Sequence, residues 1–186
     1  MKKERLQQIK KIFEKHEFIA WKKDIIQANV TEKEIQELIT KEIIWENYQN
    51  VLVFDIINTD EFYEAQMYSN NTIFHSFSAM TLHDLSNYVP HYHFFIQTKN
   101  NANHQNFIYS KESYSKDELE YINSWFSRKV LVTNLEKTVI DVLKGDTTYA
   151  PYKIEVIENY LFMPNKNLKR LKQYANKYHV DLSKYL

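Results

Sequence analysis

The stretch Asn29 to Thr40, NVTEKEIQELIT, decides the fold of the first third of the chain. Thr31 is a good helix N-cap, and Glu34 stands three residues later, the spacing of a capping box in which each side chain satisfies the other's backbone N–H. The helix it opens carries Ile35, Leu38 and Ile39 on one face, with Glu32, Lys33, Gln36, Glu37 and Thr40 on the other. Upstream, Leu6, Ile9, Ile12 and Phe13 recur at helical spacing from Lys3 to about His16. A short apolar step, Phe18-Ile19-Ala20, follows it, and then a helix from Lys22 to Ala28 turning on Ile25 and Ile26. Downstream, Ile43 to Trp45 and Val51 to Phe54 flank a polar tip, the pattern of a β-hairpin.

Helix, helix, turn, capped helix and hairpin follow the order of a winged helix-turn-helix, in which the capped helix enters a DNA major groove and the hairpin flanks it. The same order also suits a protein-binding module. On the DNA reading, Thr31, Lys33, Gln36 and Thr40 face the bases and Lys22 and Lys23 meet backbone phosphates. Tyr48 and Gln49 are the candidates on the wing. Glu32, Glu34 and Glu37 oppose that reading, because carboxylates repel phosphate.

The polar run Ile57 to Asp60 marks a boundary, with residues 1–58 as the first domain and 59–186 as the second. In the second, strands are expected at Thr72 to Phe74, His93 to Thr98, Phe107 to Ser110 and Lys129 to Thr133. Helices are expected at Phe77 to Leu85, Lys116 to Phe126, Asn134 to Leu143, Tyr152 to Phe162 and Asn165 to Tyr178. The fold class is therefore α+β, a winged helix-turn-helix followed by a mixed α/β domain ending in helices.

Composition narrows the function. With 44% hydrophobic and 26% charged residues, the chain has the make-up of a globular protein with a core. A single Gly excludes Gly-rich phosphate loops, and the absence of Cys excludes disulfides, thiolate metal sites and a Cys nucleophile. No apolar run reaches the roughly 20 residues needed to span a bilayer, and the charged start MKKERLQQIKK lacks the apolar core of a signal peptide. A cytoplasmic protein without a membrane partner is expected. Net charge is zero, yet residues 1–30 hold eight Lys or Arg against four acids, and residues 165–186 hold six against Asp181 alone. Basic ends suit either a polyanion or two solvated helix faces.

Two stretches carry catalytic residue types. HSFSAMTLHD, His75 to Asp84, holds Ser76, Ser78, His83 and Asp84. On a helix, Ser76 lies about 10 Å along the axis from His83, and Asp84 points about 100° away from it, so the four form no triad among themselves. A capping serine and a hydrogen-bonded structural His83 are expected instead. His91 and His93, with His83 and His104, pose the question of a metal, but no third ligand is fixed by spacing and none is expected. VTNLEKTVIDVL, Val132 to Leu143, offers Glu136 and Asp141, which fall on different helix faces; capping by Thr133 or Asn134 and an acid in the first turn account for them structurally. No enzyme activity and no cofactor are expected.

Taken in order, IFHSFSAMTLHDLSNYVP, the strand HYHFFIQT and VLVTNLEKTVIDVL resemble the AbiEi family of type IV antitoxins. Ser78, Ala79, Leu82, His83, Leu85 and Pro90 match its first block; Thr133, Leu135, Glu136, Thr138 and Asp141 match its second. The segment from Leu168 to Tyr178 is similar to its C-terminal helices. The resemblance implies a winged helix-turn-helix that binds operator DNA of its own promoter. It also implies a C-terminal domain that counters a nucleotidyltransferase-like toxin without needing a stable complex, in phage defence by abortive infection. Asp84 stands where the family has Gly, which predicts a helix continuing past His83. The wing, Tyr48-Gln49-Asn50-Val51, lacks the family's Arg-rich tip, and the capped helix is acidic where members are basic. The alternative is a protein-binding module that neutralises a toxin or phage factor without DNA.

Overall fold

The computed structural model describes residues 1–69, 72–87, 93–96, 107–110, 112–145 and 147–186, without the side chains of 93–96 and 147–149. The chain is mixed α and β, and its contacts divide it into two compact units, Met1–Asn71 and Thr72–Leu186.

The first unit opens with α1, Lys3–Glu14, which buries Ile9 and Phe13. Glu17 and Phe18 then take positive φ and reverse the chain into β1, Ile19–Trp21, so the apolar step of the sequence is a strand. Helix α2, Lys22–Gln27, ends in a turn with Asn29 at φ 63°. Helix α3, Glu32–Thr40, begins with the expected capping box. The Thr31 hydroxyl accepts from the Glu34 N–H at 3.2 Å, and Glu34 accepts from the Thr31 N–H at 2.9 Å. Ile35 and Leu38 are fully buried, each contributing about 2 kcal/mol of apolar burial.

Strands β2, Ile44–Tyr48, and β3, Val51–Phe54, form the hairpin, with the two-residue tip Gln49-Asn50. β3 is central in the antiparallel order β1-β3-β2. A helix follows that the sequence pattern did not reveal: α4, Glu61–Ser69. Its fully buried Glu64 accepts from the Asp60 N–H and from Asn47 Nδ2 on the hairpin, both at 2.8 Å. Those bonds fasten α4 to the first unit, which therefore runs to Asn71, past the boundary read at residue 58.

The second unit is a five-stranded sheet with helices. Its strands are β4, Ile73–Phe74; β5, His93–Ile96; β6, Phe107–Tyr109; β7, Leu119–Asn123; and β8, Lys129–Thr133, in the order β6-β5-β4-β8-β7. β4 and β8 run parallel, as do β5 and β6. The helices are α5, Ser76–Leu82; α6, Leu135–Lys144; α7, Lys153–Phe162; and α8, Leu168–Tyr178. α6 is central, since Val139, Ile140 and Val142 are fully buried in a core shared with Val156, Tyr160 and Leu171.

Two expectations fail here. Lys116 to Phe126 is a short 3₁₀ turn followed by β7, which pairs with β8 from Leu119↔Thr133 to Asn123↔Lys129. The helix at Phe77 does not pass His83. It ends at Leu82, and Asp84 sits at φ 54° in the left-handed region, where Asp and Asn are among the few tolerated side chains. Pro90, His91, His104 and the loop 99–106 lie outside the described residues.

Candidate functional site

In the first unit, the outward face of α3 presents Lys33, Gln36 and Thr40 to solvent, and Gln49 is exposed at the hairpin tip. Thr31 is committed to the cap, and the Thr40 hydroxyl donates back to the Gln36 carbonyl at 2.8 Å. Lys23 is exposed, and Lys22 is largely covered. Tyr48 corrects an expectation. It is 5% exposed and packs on Tyr68 of α4 with ring centroids 5.5 Å apart, so it cannot be a wing contact. The register of β2 shifts between Trp45 and Tyr48, and Tyr48, paired with Val51, lies against α4.

The acidity of α3 is answered inside the unit. Glu34 accepts from Arg5 Nε at 2.7 Å and Nη2 at 3.1 Å, and Arg5 also donates to the Asn29 carbonyl at 2.7 Å, joining α1 to the turn before α3. The Arg5 guanidinium holds the Glu34 carboxyl down at about 2. Glu37 pairs with Lys41 at 2.6 Å and is likewise held at about 2. Lys22 lies 3.8 Å from Glu32. Each glutamate of α3 thus faces a cation of its own unit, which reduces the repulsion that the sequence alone implied.

In the second unit, His83 of the first sequence block meets Thr133 and Thr138 of the second at the strand-to-helix junction of β8 and α6. Neutral His83, its pKa lowered by burial, donates from Nε2 to the Thr133 carbonyl at 2.7 Å. The Thr138 hydroxyl donates to the same carbonyl at 3.0 Å and lies 2.8 Å from the Thr133 hydroxyl. Asn134 caps α6, accepting from the Lys137 N–H at 3.0 Å. Ser78 is fully buried in α5. Neither Ser76 nor Ser78 caps that helix, whose N-cap, His75, makes no side-chain capping bond; the Ser76 hydroxyl instead lies 2.9 Å from His75 Nδ1.

The two acids do separate work. Fully buried Glu136 accepts from Arg170 Nε at 2.5 Å, from Tyr160 Oη at 3.1 Å and from the Asn167 N–H at 2.8 Å, drawing α7 and α8 onto α6. Asp141 is ion-paired to Lys137 one turn earlier and accepts from Tyr114 Oη at 3.3 Å. Burial pushes the Asp141 carboxyl up to about 6.

Lys137 is the residue that sequence reasoning passed over. It is fully buried, its ammonium 4.6 Å from the Tyr114 ring centroid and 4.3 Å from that of Tyr178. The available signal was the i,i+4 pair Lys137 and Asp141 on the polar side of an amphipathic helix. Glu112 lies 3.9 Å from Lys137 and 3.2 Å from Lys144 at the rim. Removing one partner from a buried pair such as Lys137 and Asp141 leaves an uncompensated charge, which is strongly destabilising. Glu136 and Asp141 are both engaged by cations.

Among the described residues, no group of three His, Asp or Glu side chains is placed to hold a metal, and no helix is long and apolar enough to cross a membrane. No protein-family model matches the chain, and no curated protein matches it significantly.

Proposed function

We propose that the chain is an antitoxin and transcriptional regulator of the AbiEi type. On this proposal the first unit is a winged helix-turn-helix that binds duplex DNA at its own promoter, and the second counters a nucleotidyltransferase-like toxin. The observation that carries it is the face of α3. The three glutamates are paired with Arg5, Lys41 and Lys22, while Lys33 and Gln36 stand free of the core on a helix beside a hairpin. The order α1-β1-α2-α3-β2-β3 with sheet order β1-β3-β2 supports the same reading, as does the bond from His83 of the first sequence block to Thr133 of the second.

The test is gel retardation with the DNA upstream of the gene at about 50 mM salt, where phosphate contacts are strong. Lys33→Ala should weaken binding to all sequences, and Gln36→Ala should relax preference at one base pair. Absence of retardation at that salt rejects the repressor role.

The second reading, a module that neutralises its partner through protein contacts, draws on the β7–β8 hairpin. Tyr121, Trp125 and Phe126 are 64%, 53% and 50% exposed there, and large aromatics of this kind dominate protein–protein hot spots. Loss of toxin rescue in Trp125→Ser with DNA retardation intact would favour it.

A further inference from the structure

The first unit has a cleft of about 520 Å³ lined by Trp21, Lys22, Lys23, Ile26, Glu32 and Asn50. It lies where the end of β1, both helices of the helix-turn-helix and the hairpin tip meet. The backbone around it is fixed. The Lys22 N–H donates to the Asn50 carbonyl at 2.8 Å, the Asn50 N–H donates to Glu46 at 2.6 Å, and Asn50 itself is held at φ 65°. The volume is that of a small-molecule site, and its lining combines one indole, two ammonium groups, one carboxylate and one primary amide.

That combination suits a ligand that joins a flat ring to an anionic group. We propose that this cleft binds a nucleotide, its base stacked on Trp21 and its phosphate held by Lys22 and Lys23. Indole is a sequence-tolerant stacking platform for bases. Lys23 now rests 5.7 Å from the centroid of the Trp21 ring. A phosphate gives that ammonium a stronger partner than the ring face, which it then leaves open to the base. Lys22, 3.8 Å from Glu32, is turned toward the same space. Glu32 accepts from an exocyclic base amine, and the Asn50 amide offers a donor and an acceptor to the base edge. Ile26, 38% exposed, supplies apolar cover for the sugar.

The cleft shares Lys22 and Lys23 with the proposed duplex-binding face, so this inference deepens that reading. It adds recognition of a single unstacked or free nucleotide beside the duplex. The same chemistry is offered by a free nucleoside phosphate and by an unpaired residue of a polynucleotide.

The experiment titrates the full chain with adenosine 5′-monophosphate, a short oligo-deoxyadenylate and inorganic phosphate, reading indole fluorescence. Trp21→Phe subtracts the signal of Trp45 and Trp125. Saturable quenching by the mononucleotide or the oligonucleotide, absent with phosphate alone and absent in Trp21→Phe, is expected. Quenching by both, or by the mononucleotide alone, makes a free nucleotide sufficient; quenching by the oligonucleotide alone makes the ligand a polynucleotide residue. Lys23→Ala, at an exposed position, should weaken that binding about tenfold with the fold intact. No quenching by either nucleotide, or quenching unchanged in Trp21→Phe or Lys23→Ala, overturns the proposal. Duplex retardation without quenching leaves the repressor standing and removes this site; quenching without retardation does the reverse.

Discussion

His83 Nε2 donates to the carbonyl of Thr133 at 2.7 Å, joining the end of α5 to the start of α6 across fifty residues of sequence. The bond is partly buried, between an imidazole 7% exposed and a fully buried Thr133, and the donor is a neutral imidazole whose pKa burial has lowered. Removing the ring leaves a cavity and takes one of two donors from a buried carbonyl. His83→Ala should therefore cost about 2–3 kcal/mol of stability in urea unfolding, with His83→Gln recovering part of it. A loss below about 0.5 kcal/mol, the range of ordinary surface changes, would show that the bond does not hold the junction.

One residue further, Asp84 adopts φ 54° just past the C-terminus of α5. Gly reaches this region without the Cβ clash that Asp incurs. Asp84→Gly should raise stability by about 0.5–1 kcal/mol, after allowance for the greater freedom of Gly in the unfolded chain. A lower melting temperature for this variant would mean that the Asp84 side chain contributes more than its backbone costs.

Arg170 is the cation for fully buried Glu136, and its own side chain is 37% exposed. Breaking a buried pair from one side commonly costs about 3–5 kcal/mol; solvent access to the guanidinium brings the figure for Arg170→Ala to about 2 kcal/mol. Differential unfolding should place the loss in the second unit, with the first unit's transition unmoved. Arg170→Lys keeps the charge but not the fork, and should fall between.

Acid should act on the second unit before pH reaches the carboxylate range. Burial lowers the His75 imidazole to about 4 from an ordinary value near 6.5. A group depressed in this way contributes stability above about 6.5, and the contribution fades as pH falls toward 4, because the unfolded chain takes up the proton first. For His75 this amounts to roughly 2–3 kcal/mol. His83 is shifted in the same direction. Asp141 opposes them. Its carboxyl is raised to about 6, so its protonation favours the fold as pH drops from about 6 through 4. Melting temperatures of wild type and His75→Gln between pH 7 and 4.5 should converge, the variant having the shallower slope. Parallel slopes would remove His75 from the account.

Parts of this structure are written in local pattern. Thr31 and Glu34 announce α3, because a capping box needs only residues three apart. The alternation of Lys129 to Thr133 and the apolar run of α6 are equally legible. Other parts mislead. Leu119, Ile122 and Phe126 recur at helical spacing, yet the segment holds β7, since five residues pair with β8 and Glu118, just before the strand, is buried against Lys177. α4 carried no periodic signal, for its buried set includes Glu64 and Ser69, polar residues that only a tertiary partner makes acceptable inside.

The candidate sites divide in the same way. Lys33, Gln36 and Gln49 are exposed as the sequence indicated, while Tyr48, assigned to the same face, lies against α4 past the register shift in β2. The acidity of α3 was plain from composition, but its compensation by Arg5 and Lys41 needed α1 and the helix end brought within reach.

By itself, then, the sequence determined the α3 cap, the hairpin, the strand-to-helix junction at Thr133 and the absence of thiol chemistry, all of which depend on near neighbours or on composition. Only the tertiary structure decided the burial of Lys137 between two tyrosines, the bond from His83 to Thr133 and the left-handed turn at Asp84. The cost of burying a charge or a carbonyl depends on partners tens of residues away, and those distances close only when the chain folds.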